Sequence, residues 1–150
     1  MKYESLSMLP PKRARKGNSA RIPTEEAEQR ALLQWWGMAC KGLGVPEGAL
    51  MHIPNEGFRH VAYAKKLHAL GLRRGVPDLL LAYPTETAPG LWLEMKRLKG
   101  GRVSPEQEAY IALLRELGYI AHVCRGWAAA KDAILQYLKR GATDDGKVDL

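Results

Sequence analysis

Cysteine is scarce in this chain. Cys40 and Cys124 are the only two among 150 residues, and they lie too far apart in sequence to match a disulfide framework or a zinc site. They read as reduced, buried, small apolar residues of a cytosolic protein. No apolar run approaches the ~18 residues that a membrane-spanning helix needs. The opening residues 1–5 lack the apolar stretch and small-residue cleavage site of a secretory signal. The histidines His52, His60, His68 and His122 do not cluster at ligand spacing, which leaves them structural or surface roles. There is no internal repeat. These absences set the expectation of one soluble domain working in the cytoplasm, without membrane or disulfide support.

What is present is a globular composition, 46% hydrophobic and 26% charged, in a chain long enough for one sizeable core. The net charge of +7 is unevenly spread. Residues 1–24 carry +5, residues 25–56 carry −3, residues 57–102 carry +6 and residues 103–150 carry −1. Two basic blocks favour a polyanionic partner. Residues 1–23, with Pro10, Pro11 and the run Lys12-Arg13-Ala14-Arg15-Lys16, show no hydrophobic period and read as a flexible basic arm. The domain is expected over residues 24–139, followed by a tail at 140–150.

Thr24 is placed to cap a helix from Glu25 to about Lys41, with Glu25, Glu26 and Glu28 in its first turn and Leu32, Leu33, Trp35 and Trp36 on its apolar face. A short strand follows over 49–53, closed by Pro54-Asn55-Glu56-Gly57, and then a helix over 60–70 stopped by Gly71. Residues 78–83 and 91–96 are apolar strands separated by a turn, the pattern of an antiparallel hairpin. Ser104-Pro105-Glu106-Gln107 is a helix start with a capping box. Residues 119–124 form a last strand and Trp127–Leu138 a last helix. The order helix, strand, helix, strand, strand, helix, strand, helix predicts a mixed α/β domain in which a crossover helix joins two parallel strands.

The chemistry concentrates in the hairpin. Side chains alternate along a strand, so Leu91, Leu93 and Met95 share one face while Trp92, Glu94 and Lys96 share the other. Asp78 opens the partner strand, directly after Pro77. Pairing of the two strands lets Asp78 and Glu94 meet. Two adjacent carboxylates repel, burial raises the cost, and a hard divalent cation offsets it. Lys96 then stands beside the ion on the same face. Acids that hold a metal, with an amine to orient water or to stabilise charge on phosphorus, are what metal-assisted phosphodiester hydrolysis requires. The plainer readings are a solvated Glu94–Lys96 pair and a turn-stabilising Asp78.

Several linked segments tighten this. Pro54-Asn55-Glu56-Gly57, Gly75-Val76-Pro77-Asp78, Gly90-Leu91-Trp92-Leu93-Glu94-Met95-Lys96, Gly101-Arg102-Val103-Ser104-Pro105-Glu106-Gln107 and Leu117-Gly118-Tyr119, in that order, resemble the virus-type replication-repair nuclease (VRR-NUC) branch of the PD-(D/E)xK nucleases. The resemblance runs from about Glu25 to about Gly126. It implies a restriction-endonuclease-like α/β core, a mixed sheet flanked by helices. It further implies a Mg²⁺- or Mn²⁺-dependent DNA endonuclease, structure-selective on branched DNA such as Holliday junctions, acting as a homodimer in a phage or bacterial cytoplasm. On the family pattern Asp78 and Glu94 bind metal, the Met95 carbonyl joins them, Lys96 is the catalytic lysine and Gln107 is a further site residue. An acid from the first helix completes the metal set. The Glu-x₃-Gln pattern favours Glu25 with Gln29, while Glu26 and Glu28 remain alternatives, each also explained by dipole complementation. For Gln107 the capping box alone is a sufficient role. Arg73, Arg74, Arg97, Lys99 and Arg102 flank the motif and are expected to hold phosphates, with Lys65 and Lys66 extending the track. The alternative is a catalytically silent DNA-binding module of the same fold.

Overall fold

The computed structural model describes residues 21–54 and 61–142. Most of the expected basic arm, the turn residues Asn55, Glu56 and Gly57, His60, and positions 143–150 of the expected tail lie outside the described residues.

Thr24 caps the first helix as its side chain predicts: its hydroxyl accepts the Ala27 N–H at 3.1 Å, and α1 runs Glu25–Ala39. A 3₁₀ turn over Glu47–Ala49 leads into β1, Leu50–His52. Then come α2 (Val61–Ala69), β2 (Leu79–Leu81), β3 (Leu91–Lys96), α3 (Pro105–Glu116), β4 (Ile120–Arg125) and α4 (Trp127–Ala142). The sheet order is β1-β2-β3-β4, with the first two pairings antiparallel and β3–β4 parallel. The expected hairpin and the α3 crossover are both present, so the architecture is a mixed α/β sheet flanked by helices. β2 is shorter than the predicted 78–83: its pairing with both β1 and β3 covers Leu79–Leu81. At the other end α4 continues past Leu138 to Ala142.

The alternation along β3 sorts the layers. Leu91, Leu93 and Met95 face a core built with Leu32 and Trp36 of α1 and Ala130, Ile134 and Tyr137 of α4. Each fully buried side chain of this kind contributes roughly 1.5–3 kcal/mol. On the opposite face Trp92 packs with Ile111 and Leu114 of α3, Ala121 of β4, and the edge of Tyr119. Trp36 is core and Trp35 and Trp127 pack against it. Cys40 and Cys124 are buried free thiols, and burial pushes the Cys124 thiol up to about 11. Among the described residues no helix is long and apolar enough to cross a membrane.

The chain leaves β1 at His52 and re-enters the sheet at Leu79, two residues that pair. The connection that carries α2 therefore starts and ends at the end of the sheet where Asp78 stands. Its return is tight. Gly75 has φ +83°, and a Cβ there would lie 2.2 Å from the Glu106 carbonyl oxygen, so only glycine lets the loop lie against the first turn of α3.

Candidate active site

The β2–β3 register pairs Leu79 with Leu93, so the next position outward sets Asp78 opposite Glu94. Opposed residues of an antiparallel pair point to the same side, and the two acids therefore meet on the α3 side of the sheet. Asp78 ties three segments together at that end. Its carbonyl accepts the Ile53 N–H of the chain leaving β1 at 2.8 Å, and its Oδ2 accepts the Met95 N–H of β3 at 2.7 Å. The ladder beyond β2 thus continues through a side chain, which fixes the carboxylate beside the Met95 backbone. The Met95 side chain itself lies in the core.

Glu94 is 1% exposed and Lys96 6%, an unusual depth for either residue type. Lys96 Nζ lies 2.9 Å from Glu94 Oε1. The Gln107 side-chain amide donates to the same oxygen. Among the described residues, Glu94 Oε2 is buried with no hydrogen-bond partner. Burial is the main reason that the Glu94 carboxyl titrates at about 7. The Lys96 hydrogen bond opposes this shift, and the charges of Asp78 and Glu25 add to it.

Gln107 serves both the readings open to it. Its Oε1 accepts the Ser104 N–H at 2.9 Å and its backbone N–H donates to Ser104 Oγ at 3.2 Å, which completes the capping box. The remaining Nε2 reaches Glu94. The cap thereby fixes the rotamer that presents the amide to the site.

The three first-turn acids of α1 have separate fates. Glu26 pairs in solvent with Arg30. Glu28 is buried, and its Oε2 accepts the Trp127 N–H at 2.8 Å, capping the start of α4. Glu25 turns to the site: a Cβ placed on Gly101 would lie 3.1 Å from Glu25 Oε1 and 3.1 Å from Lys96 Cβ. Glu28 was weighed above only as a dipole or site acid. Its partner lies 99 residues away, and no local sequence signal reports such a contact.

The flanking cations are spread around this end. Arg97 and Arg102 line an open groove with Thr24, Glu25, Glu26, Gly100 and Gly101, with Lys99 exposed on the same turn. Arg73 donates to the carbonyls of His68 and Leu72 at 3.3 and 3.2 Å. Arg74 acts on Glu106, whose carboxyl is held below its ordinary value mainly by its own backbone N–H, then by Ser104, with Arg74 adding to them. His52 is exposed, in keeping with the surface or structural role its sequence context suggests, and its Nδ1 lies 2.9 Å from the Asp78 carbonyl oxygen and 3.0 Å from Gln29 Nε2. The β1–β2 pairing is the signal that would have found it.

Among the described residues no group of three acids, histidines or cysteines is arranged to enclose a metal ion. The donor set nevertheless fits a hard cation that keeps much of its water. Such an ion is commonly held by one or two carboxylates, and here two acids face each other with one buried oxygen left unpartnered. Left without any partner, such a buried oxygen costs roughly 1–3 kcal/mol.

Comparison with known proteins agrees with the fold. The family model of the VRR-NUC domain matches residues 16–128. A solved structure described as a VRR-NUC domain protein is 27% identical, with a TM-score of 0.68 over 81% of this chain and 93% of the other. No curated protein matches the chain.

Proposed function

The chain belongs to the VRR-NUC domain family, a nuclease-type fold, and from that premise we propose that it is a divalent-metal-dependent DNA endonuclease acting on branched DNA. The observation that carries this reading is Glu94: a carboxylate 1% exposed, opposite Asp78, gripped at one oxygen by Lys96 and Gln107 and bare at the other. Ion binding accounts for the oxygen that the contacts with Lys96 and Gln107 leave over.

In this reading Asp78 and Glu94 hold the ion, with the Met95 backbone alongside and Glu25 as the acid supplied by α1. Held there, Mg²⁺ or Mn²⁺ would supply Lewis-acid chemistry toward a phosphoryl oxygen and a more acidic water. The Lys96 ammonium offsets the acids in the resting site and faces the charge that builds on phosphorus during attack. Gln107 holds Glu94 in place, because its own rotamer is fixed by the α3 cap. Arg73, Arg74, Arg97, Lys99 and Arg102, with Lys65 and Lys66 of α2, hold the sugar-phosphate backbone without reading bases. A homodimer would present two such sites to the arms of a junction.

The test is cleavage of a four-way junction, a flap and plain duplex, with Mg²⁺ or Mn²⁺ and with chelator. Wild type is expected to cut the branched substrates only with metal. Glu94→Ala is expected to lose roughly a hundredfold or more. Metal-independent cutting, or a fully active Glu94→Ala protein, refutes the site. Tight binding without product in either metal makes the protein a silent DNA-binding module instead.

A further inference from the structure

We infer that His52 is a positioning residue for the metal site, acting through the Asp78 main chain and held in turn by Gln29. This rests on the nuclease reading of Asp78. Oδ2 of Asp78 is fixed by the Met95 N–H, but the orientation of its carboxylate also depends on the peptide that bears it. That peptide's carbonyl has two partners: the Ile53 N–H at 2.8 Å and His52 Nδ1 at 2.9 Å. A carbonyl accepts only, so the ring serves it as a donor with the proton on Nδ1. Gln29 stands 3.0 Å from the same nitrogen, and its amide, turned by half a rotation, offers its oxygen to that proton.

The consequence reaches α1. Gln29 follows Glu25 by four residues, so the two share one helix face. The Gln29–His52–Asp78 contact is thus a side-chain tie between the face of α1 that carries Glu25 and the strand end that carries Asp78. It fixes two candidate metal acids from different layers relative to each other. The arrangement is that of a residue orienting a metal ligand from behind, where loss typically costs 10–100-fold in metal affinity or activity.

The experiment measures Mn²⁺ binding to the full chain by calorimetry without DNA, and separately kcat and KM on a four-way junction. His52→Ala is expected to raise the Mn²⁺ dissociation constant about tenfold and to lower kcat with KM for DNA little changed. His52→Asn, whose amide N–H can stand where Nδ1–H stood, is expected to recover most of both. A structural role alone would lower the melting temperature without this pattern. If His52→Ala does not fold, Gln29→Ala must show the weaker Mn²⁺ binding. Wild-type Mn²⁺ affinity and kcat in the folded variants, alongside an inactive Glu94→Ala, overturn this proposal alone. Wild type that neither binds Mn²⁺ nor cuts DNA overturns the nuclease reading and this proposal with it.

Discussion

On one face of β3, Leu91, Leu93 and Met95 are each at most 1% exposed and sit in an apolar cluster with residues of α1 and α4. On the other, Glu94 and Lys96 are nearly as deeply buried, yet Glu94 Oε2 and the Trp92 indole N–H have no hydrogen-bond partner. Depth is similar and the chemistry is opposite. The first face stabilises the fold. The second costs stability, since a buried unpaired polar atom forfeits its hydration. One strand supports both because the alternation of side chains keeps them a sheet's thickness apart. The apolar face holds the strand rigid, and rigidity is what lets two acids stay opposed.

The sharpest way to break this comparison is to exchange what each face loses. Leu93→Ala is expected to cost about 2–5 kcal/mol of stability, the usual range for a buried leucine that leaves a cavity. Glu94→Gln is expected to cost less than Leu93→Ala at pH 7, because the amide keeps the shape of the side chain and burial already raises the Glu94 carboxyl to about 7, toward its neutral form. Urea unfolding of both variants decides it. A Glu94→Gln protein destabilised as much as Leu93→Ala would show that both faces are structural.

A second effect follows from protonation. The folded-state pKa of Glu94 is raised from 4.5 to about 7, so the folded protein binds this proton more tightly than the unfolded chain does. The sign is therefore that stability is fullest below about 4.5, falls as pH rises, and reaches its floor above about 7. The loss is at most about 3 kcal/mol. Unfolding measured at pH 5 and pH 8 without divalent ions should show it in wild type and not in Glu94→Gln. Adding Mn²⁺ at pH 8 should restore stability to wild type by binding the folded state. A pH dependence shared by both proteins would assign it to other groups.

The sequence carried the fold further than it carried the site's wiring. The order of elements, the 78–83 and 91–96 hairpin, the Ser104–Gln107 capping box and the α3 crossover all rest on local signals: alternation, caps and turn residues. The opposition of Asp78 and Glu94 followed from hairpin register alone. Glu28 and His52 did not follow, because their partners, Trp127 and Asp78, sit on elements that meet only once the sheet has formed. Which first-turn acid of α1 faces the site was open for the same reason. Helix periodicity gives the relative angle of Glu25, Glu26 and Glu28, but their absolute direction is set by packing against β3 and α4. Gln107 illustrates the converse: its cap was visible in four residues, and the amide left over for Glu94 was not.

The mildest expected effect separates lysines by burial. Lys96 is buried and lies 2.9 Å from Glu94, whereas Lys65 and Lys66 lie exposed on α2, in a stretch from 61 to 77 that contains four Lys or Arg and no acid. Neither lysine takes part in the ion pairs Arg30–Glu26 and Lys96–Glu94 seen among the described residues. α2 buries none of its side chains, and the connection that carries it starts and ends at the end of the sheet that holds Asp78. Charges of this kind act on DNA by releasing counterions, each roughly independently. Replacing Lys65 and Lys66 by Ala should weaken DNA binding severalfold at low salt and reduce the slope of log affinity against log salt by up to about 2. KM should rise more than kcat falls, whereas Lys96→Ala should act chiefly on kcat. A salt slope unchanged by the double substitution would place α2 outside the path of the DNA and leave the groove at Arg97 and Arg102 as its main contact.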